Sequence, residues 1–326
     1  MRIGFMGTPD FAKIVLQGLI DNGHEVKVVL TQPDKAVGRG KKIQYSPVKE
    51  LALKNNIPVW QPEKVKSEEG LTSKLKALRL DILIVVAYGQ ILPNDVIESA
   101  KYGTVNVHAS LLPHLRGAAP IQRAIVSGDE ITGVTIMNVA EKLDAGDMLS
   151  KVEVKIGKMN FEELHDKLAF EGTKLLLDTL KKIEEGTATY EKQDDEKATY
   201  AKMVFKPEGK IDFTVDPKLV ECKIRGFDPW PGAFAYIAGD DASGLTAGKT
   251  ENVSEAIKFW KAEPLDIKTA PHDAGKVIEA DTESFTVSCG GKALRVLEIQ
   301  VPGKKRCEFK EYVKGHSDIK IGTRFI

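Results

Sequence analysis

Asn106 and His108 stand two residues apart in the stretch TVNVHASLLPHLRGAAP, Thr104 to Pro120. If TVNVHAS is a strand, residues two apart share one face. An amide and an imidazole then point the same way, while Val105 and Val107 fill the opposite face. The amide is a donor suited to a developing oxyanion. The imidazole moves a proton near neutral pH. Pro113 and Gly117 turn the chain sharply just beyond. Taken singly, each residue has an ordinary structural use: a strand histidine satisfied in the core, an asparagine bonded to a loop. Two polar side chains on one strand face among apolar neighbours argue instead for a site.

Such a site needs a carboxylate to orient or charge the imidazole. The strand GVTIMNV (133–139) runs into AEKLDAGDML, which carries Asp144 and Asp147. A parallel neighbour would bring one of them toward His108. Asp144 follows the apolar Leu143, which would turn it inward; Asp147 is equally suited to a turn. Asn, His and Asp without a nucleophile describe acyl transfer directly to an incoming amine. Ser110 is the competing nucleophile. However, no G-x-S-x-G elbow is present, and Ser110 precedes a Leu-Leu-Pro corner instead of a helix.

The elements that would position these residues alternate strand and helix. RIGFM (2–6) reads as a buried strand, PDFAKIVLQGLIDNG as a helix started by Pro9 and ended by Gly23, and VKVVLTQ (26–32) as the next strand. Helices are expected near 47–55 and 64–78, and DILIVVAYG (81–89) is the most apolar strand. This alternation implies right-handed crossovers and a mostly parallel, Rossmann-like α/β sheet, whose ligands gather outside the carboxyl ends of the strands. A long helix near 161–185 carries the stripe Leu164, Leu168, Leu175, Leu176, Leu180 and Ile183, and Gly186 stops it. The polar, charged segment that follows reads as a linker over 187–205. It divides a catalytic domain, 1–186, from a second domain, 206–326. There AFAYIAG, IKFWKAE, GKVIEA, SFTVSCGG and ALRVLEIQ have the spacing of a small β-barrel or sandwich.

Composition narrows the class. The chain has 326 residues, 42% hydrophobic and 29% charged, which suits a globular protein of about two domains. No apolar run approaches the ~20 residues a membrane helix needs. The N-terminus lacks the apolar core of a signal peptide. Cys222, Cys289 and Cys307 fit neither zinc spacing nor a disulfide framework. A reduced, cytoplasmic setting and no metal are expected. The formal net charge is zero, so any nucleic-acid partner must be held by a local patch.

One such patch is TQPDKAVGRGKK, with Gly38, Arg39, Gly40, Lys41 and Lys42. Its glycines permit movement and its cations attract phosphate, although a plain solvated loop looks the same. Lys304, Lys305 and Arg306 form a second cluster. The start GFMGTPDFA lacks G-x-G-x-x-G, and no acidic residue closes the second strand, so dinucleotide binding is disfavoured.

NVHASLLPHLRGAAPIQRAI together with GVTIMNVAEKLDAGDML resembles the folate-dependent formyltransferases. GTPDFA, TQPDKAVGRGKK, VVAYGQILP, KIDF and IRGFDPWPGAFA narrow the resemblance to those acting on methionyl-tRNA. It covers nearly the whole chain and is most specific from 1 to about 235; the C-terminal barrel matches more by position than by motif. The resemblance implies a Rossmann-like domain followed by an oligonucleotide-binding-type barrel that binds tRNA. It implies 10-formyltetrahydrofolate as formyl donor, initiator methionyl-tRNA as acceptor, translation initiation as the setting, and a monomer. It assigns Asn106, His108 and Asp144 as the catalytic trio, Ser110, Leu111, Leu112 and Pro113 as the folate corner, and Arg39, Lys41 and Lys42 as the tRNA-gripping loop. Two positions depart from the pattern. Lys142 stands where many relatives have glycine before the Leu-Asp step, which puts the local turn in question, and Ala109 stands where glycine is common.

Overall fold

The computed structural model describes residues 1–37, 42–238 and 256–326. Arg39 and Lys41, and the side chain of Lys42, lie outside the described residues. The chain divides into two compact units. The first comprises Met1–Pro120, Ile131–Lys155 and Glu163–Lys202; the second comprises Ile121–Glu130, Ile156–Glu162 and Met203–Ile326.

In chain order, the elements begin with β1 (Arg2–Gly7), α1 (Asp10–Asp21), β2 (Glu25–Leu30), the antiparallel pair β3 (Lys35–Val37) and β4 (Lys42–Gln44), and α2 (Pro47–Lys54). Then come β5 (Val59–Trp60), α3 (Leu71–Ala77), β6 (Ile82–Val86), α4 (Asn94–Ile97) and β7 (Thr104–His108). They are followed by β8 (Arg116–Gly117), α5 (Pro120–Val126), β9 (Ile131–Asn138), β10 (Met148–Lys155), α6 (Phe161–Glu184) and β11 (Tyr200–Ala201).

Seven strands make the main sheet of the first unit, in the order β10-β9-β7-β6-β1-β2-β5. From β7 to β5 all are parallel. The expected parallel neighbour on the other side of β7 is absent: β9 runs antiparallel to β7, with His108 opposite Thr135. A parallel return needs a crossover helix packed on the sheet. The only helix between β7 and β9 is α5, and its residues from Ile121 onward belong to the second unit. The chain therefore comes back reversed and turns again into β10, a half-exposed edge strand that hydrophobic patterning did not reveal.

Burial explains why β7 holds still. Val105 and Val107 are buried, and α6 lies over Val107. A Cβ on Gly172 of α6 would sit 3.3 Å from a Val107 methyl and 3.1 Å from one of Val134, close enough that both valines would have to give by a few tenths of an ångström. Each fully buried valine contributes roughly 1.5–3 kcal/mol. With that face occupied, Asn106 and His108 are left on the other.

In the second unit α7 (Pro217–Gly226) is capped by the Asp216 carboxylate, which accepts from the Lys218 amide at 2.8 Å. Five strands follow: β12 (Ala233–Ala235), β13 (Ile257–Leu265), β14 (Val277–Ala280), β15 (Phe285–Cys289) and β16 (Lys292–Gln300). They pair antiparallel in the order β12-β13-β16-β15-β14. β17 (Cys307–Glu308) adds to β16, and α8 (Phe309–Tyr312) comes after it. Residues 323–326 close this sheet into a barrel. The Tyr236 and Ile326 backbones exchange hydrogen bonds beside β12, while the Phe325 amide donates to Gly275 and the Val277 amide to Thr323 at β14. Inside lie Phe213, Phe259, Phe285, Phe309 and Phe325. The early segments of this unit are tied in by polar contacts. Arg123 donates to both carboxylate oxygens of Glu208 at 2.7 and 3.2 Å, and Arg225 donates to the Met159 carbonyl at 2.6 Å.

Candidate active site

The first unit brings Asn106, His108 and Asp144 together. Asn106 is half-buried on β7, and its side-chain amide has no hydrogen-bond partner among the described residues. His108 ends the strand and is buried. Its Nε2 lies 3.0 Å from the Leu115 carbonyl oxygen. A carbonyl can only accept, so Nε2 carries the proton and Nδ1 is the nitrogen left for exchange. Nδ1 faces Asp144, 3.7 Å from Oδ2.

Asp144 arrives by a different route from the one its neighbours suggest. Leu143 does not turn it inward, because Leu143 itself is 61% exposed. Asp144 instead adopts a left-handed backbone, φ +50°, a conformation that aspartate tolerates better than most residues. Its Oδ2 accepts from the Gly117 amide at 2.8 Å. Two glycines make this possible. Gly117 has φ +115°, and a Cβ there would meet the Ala201 carbonyl oxygen at 2.8 Å. A Cβ on Gly146 would lie 1.9 Å from the Asn138 carbonyl oxygen. Asp147 uses its backbone instead, its carbonyl accepting from the Asn138 amide. Lys142 does not have a positive φ, so the turn does not demand a glycine there. Its ammonium pairs with Asp195 at 2.6 Å.

Beneath this loop is a buried cation that sequence reasoning passed over. Arg116 is 0% exposed. Its Nε and Nη2 donate to Gln193 Oε1 at 3.0 and 2.8 Å, and its Nη1 lies 2.8 Å from Asp195 Oδ1, too poorly aligned for a hydrogen bond but a close ion pair. The carboxylate of Asp195 is itself exposed to solvent, which screens the pair, so the neutral oxygen of Gln193 is the buried partner of this cation. Gln193 and Asp195 lie in the segment read from sequence as a linker. That segment is hydrogen-bonded into the first unit, with β11 beside β8 and the Glu191 amide bonded to Met148. An arginine inside an apolar corner, LRGAA, was the one available signal.

The corner from Ser110 to Pro113 divides by burial. Ser110 is fully buried; its hydroxyl donates to the His114 carbonyl at 2.5 Å, and its carbonyl accepts from Thr135 at 2.7 Å. That hydroxyl makes no hydrogen bond to His108, since both groups turn to backbone carbonyls, so Ser110 is not armed as a nucleophile. Leu112 is buried against Met137 and Met148. Leu111 and Pro113 are only half-buried. In the second unit Arg306 is already engaged by Asp228 at 2.8 Å and Glu298 at 2.7 Å, which leaves Lys304 and Lys305 as the uncommitted charge of that cluster. No group of three or more metal-ligating side chains occurs among the described residues, and none of the described helices is long and apolar enough to cross a membrane.

The formyl transferase family model matches residues 1–180, and the model of the formyl transferase C-terminal domain matches 203–317. The methionyl-tRNA formyltransferase of Sulfurihydrogenibium sp. (strain YO3AOP1) is 46% identical over 327 residues, covering the whole of both chains. That of Clostridioides difficile (strain 630) is 44% identical and covers 97% of each. The fold is similar to that of an N-formyltransferase from Helicobacter canadensis solved with folinic acid and dTDP-3-aminofucose. The TM-score is 0.61 at 17% identity, over 90% of this chain and 98% of that one. With both family models matched in order and such identity sustained from end to end, the chain belongs to the methionyl-tRNA formyltransferase family.

Proposed function

We propose that this chain transfers the formyl group of 10-formyltetrahydrofolate to the α-amino group of methionine on initiator methionyl-tRNA, giving N-formylmethionyl-tRNA for translation initiation in the cytoplasm. The observation that carries the reading is the cluster itself: an unspent amide and an imidazole on one strand face, a carboxylate 3.7 Å from the imidazole, and no activated nucleophile beside them. That set suits direct transfer between two nitrogens.

The amine nitrogen bonds to the formyl carbon, and the carbonyl oxygen gains negative charge. The Asn106 amide donates to that oxygen, with His108 beside it. The bond from the formyl carbon to the folate nitrogen then breaks. The proton lost by the amine ends on that nitrogen, moved by way of His108 Nδ1 and Asp144. At 3.7 Å the His108–Asp144 contact is longer than a hydrogen bond, and such contacts commonly tighten when substrate binds. Ser110 to Pro113 line the folate, with Leu111 and Pro113 offering the surface.

Arg39, Lys41 and Lys42 grip the tRNA, whose A-form stem is recognised chiefly through shape and phosphates. The C-terminal barrel provides the remaining tRNA surface, and the enzyme acts as a monomer with its catalytic domain in 1–186. The deciding experiment incubates the protein with 10-formyltetrahydrofolate and charged initiator tRNA, an amino-sugar nucleotide, or water alone. Formyl appearing only on the methionine of the tRNA supports the reading. A formylated sugar, or formate released in water at a comparable rate, overturns it.

A further inference from the structure

Gln193 makes all four hydrogen bonds its side-chain amide can make, and each is directional. Arg116 only donates, so the oxygen of Gln193 must face it, at 3.0 and 2.8 Å. The nitrogen must then face the two backbone carbonyls it reaches, Asp144 at 2.9 Å and Gly146 at 2.8 Å. This arrangement cannot be flipped without setting donor against donor and acceptor against acceptor. The two carbonyls belong to the tight turn in which Asp144 takes its left-handed backbone. The Gly117 amide holds the carboxylate of Asp144, and Gln193 holds its main chain. Asp195 braces the same assembly, since it pairs with Arg116 from one side and with Lys142, two residues before Asp144, from the other. Those two cations, Lys142 first, hold the Asp195 carboxyl below its ordinary range.

We propose that Gln193, locked by the buried Arg116, is a positioning residue for catalysis: it fixes the turn that aims Asp144 at His108. The inference rests on the role proposed above for Asp144. Gln193 touches no reacting atom and acts only through that carboxylate. Misplacing a catalytic group by about 1 Å can cost a hundredfold in rate, so a loosened turn lowers turnover while substrate affinity stays nearly the same.

The test is a double-mutant cycle in the full chain, with formyl transfer to charged initiator tRNA as the assay. Gln193→Glu is the informative single variant. One carboxylate oxygen still accepts from Arg116, so the buried cation keeps its partner, while the other faces two carbonyls it cannot donate to. Gln193→Met is the second variant, with thermal unfolding followed for both. The expected result is a fall in kcat of on the order of tenfold or more, with KM for both substrates changed less than about twofold. The same substitution on an Asp144→Ala background costs little further, because the group it positions is gone. Full additivity on that background, or a rise in KM with unchanged kcat, overturns the positioning role. So does wild-type kcat in the folded glutamate variant. If Asp144→Ala alone leaves kcat intact, it is the catalytic assignment of Asp144 that fails, and the two failures are told apart by that single variant.

Discussion

Asn106 presents an amide on the same strand face as His108, and nothing among the described residues competes for it. Replacing it with alanine removes the donor proposed for the developing oxyanion while leaving the packed valines of β7 untouched. The expected outcome is a loss of about 3 kcal/mol of transition-state stabilisation, roughly a hundredfold in kcat, with folate affinity measured by fluorescence titration unchanged. Near-normal turnover in a folded Asn106→Ala protein would contradict the assignment. The pairing of Asn106 with His108 was legible because a strand's period of two leaves no freedom in which face each takes. Asp144 was legible only through resemblance. Its direction comes from a left-handed backbone and from contacts with Gly117 and Gln193, and local pattern encodes neither. Gln193 was not legible at all: it lies 49 residues from Asp144, in a stretch without periodicity.

Among the elements, strands with continuous apolar runs and the long helix α6 emerged close to their expected positions because their burial pattern is strong. The direction of β9 did not, because direction depends on where the intervening helix packs and not on the strand's own residues. Closure of the barrel is a similar case. Residues 323–326 are too short a run to read as a strand, yet Phe325 stacks on Phe285 at 5.6 Å and meets the edge of Phe259 at 5.3 Å. Truncating a buried phenylalanine costs about 3–5 kcal/mol. Phe325→Ala should therefore lower the urea midpoint of the second unit's unfolding, followed by the fluorescence of Trp230 and Trp260. An unchanged midpoint would mean the closure adds no stability.

At the scale of the whole molecule, a net charge of zero makes polyanion binding a matter of local charge. Neutralising Lys41 and Lys42 should weaken tRNA binding and reduce the slope of log affinity against log salt by roughly one per lysine; an unchanged slope in filter binding would remove the loop from the interface. Acid acts more broadly. Asp34 is held below its ordinary range by Lys49, Glu208 by Arg123, Asp212 by Thr214, and Asp281 by backbone amides. A carboxyl depressed in the folded state contributes stability above its unfolded value, about pH 4, and that contribution is lost as pH falls further. Urea midpoints should hold near neutrality and drop below about pH 4, and a midpoint that rises there would reverse the sign. The second unit also carries a consequence for how the chain comes apart. It borrows 121–130 and 156–162 from the first two-thirds of the sequence, with Arg123 and Arg225 as ties. A protease that nicks the backbone between 202 and 203 would cut one covalent connection between the units and leave these embedded segments in place. The two fragments should then co-elute in native chromatography and part only in denaturant, so a gene split at that point would have to express both halves together.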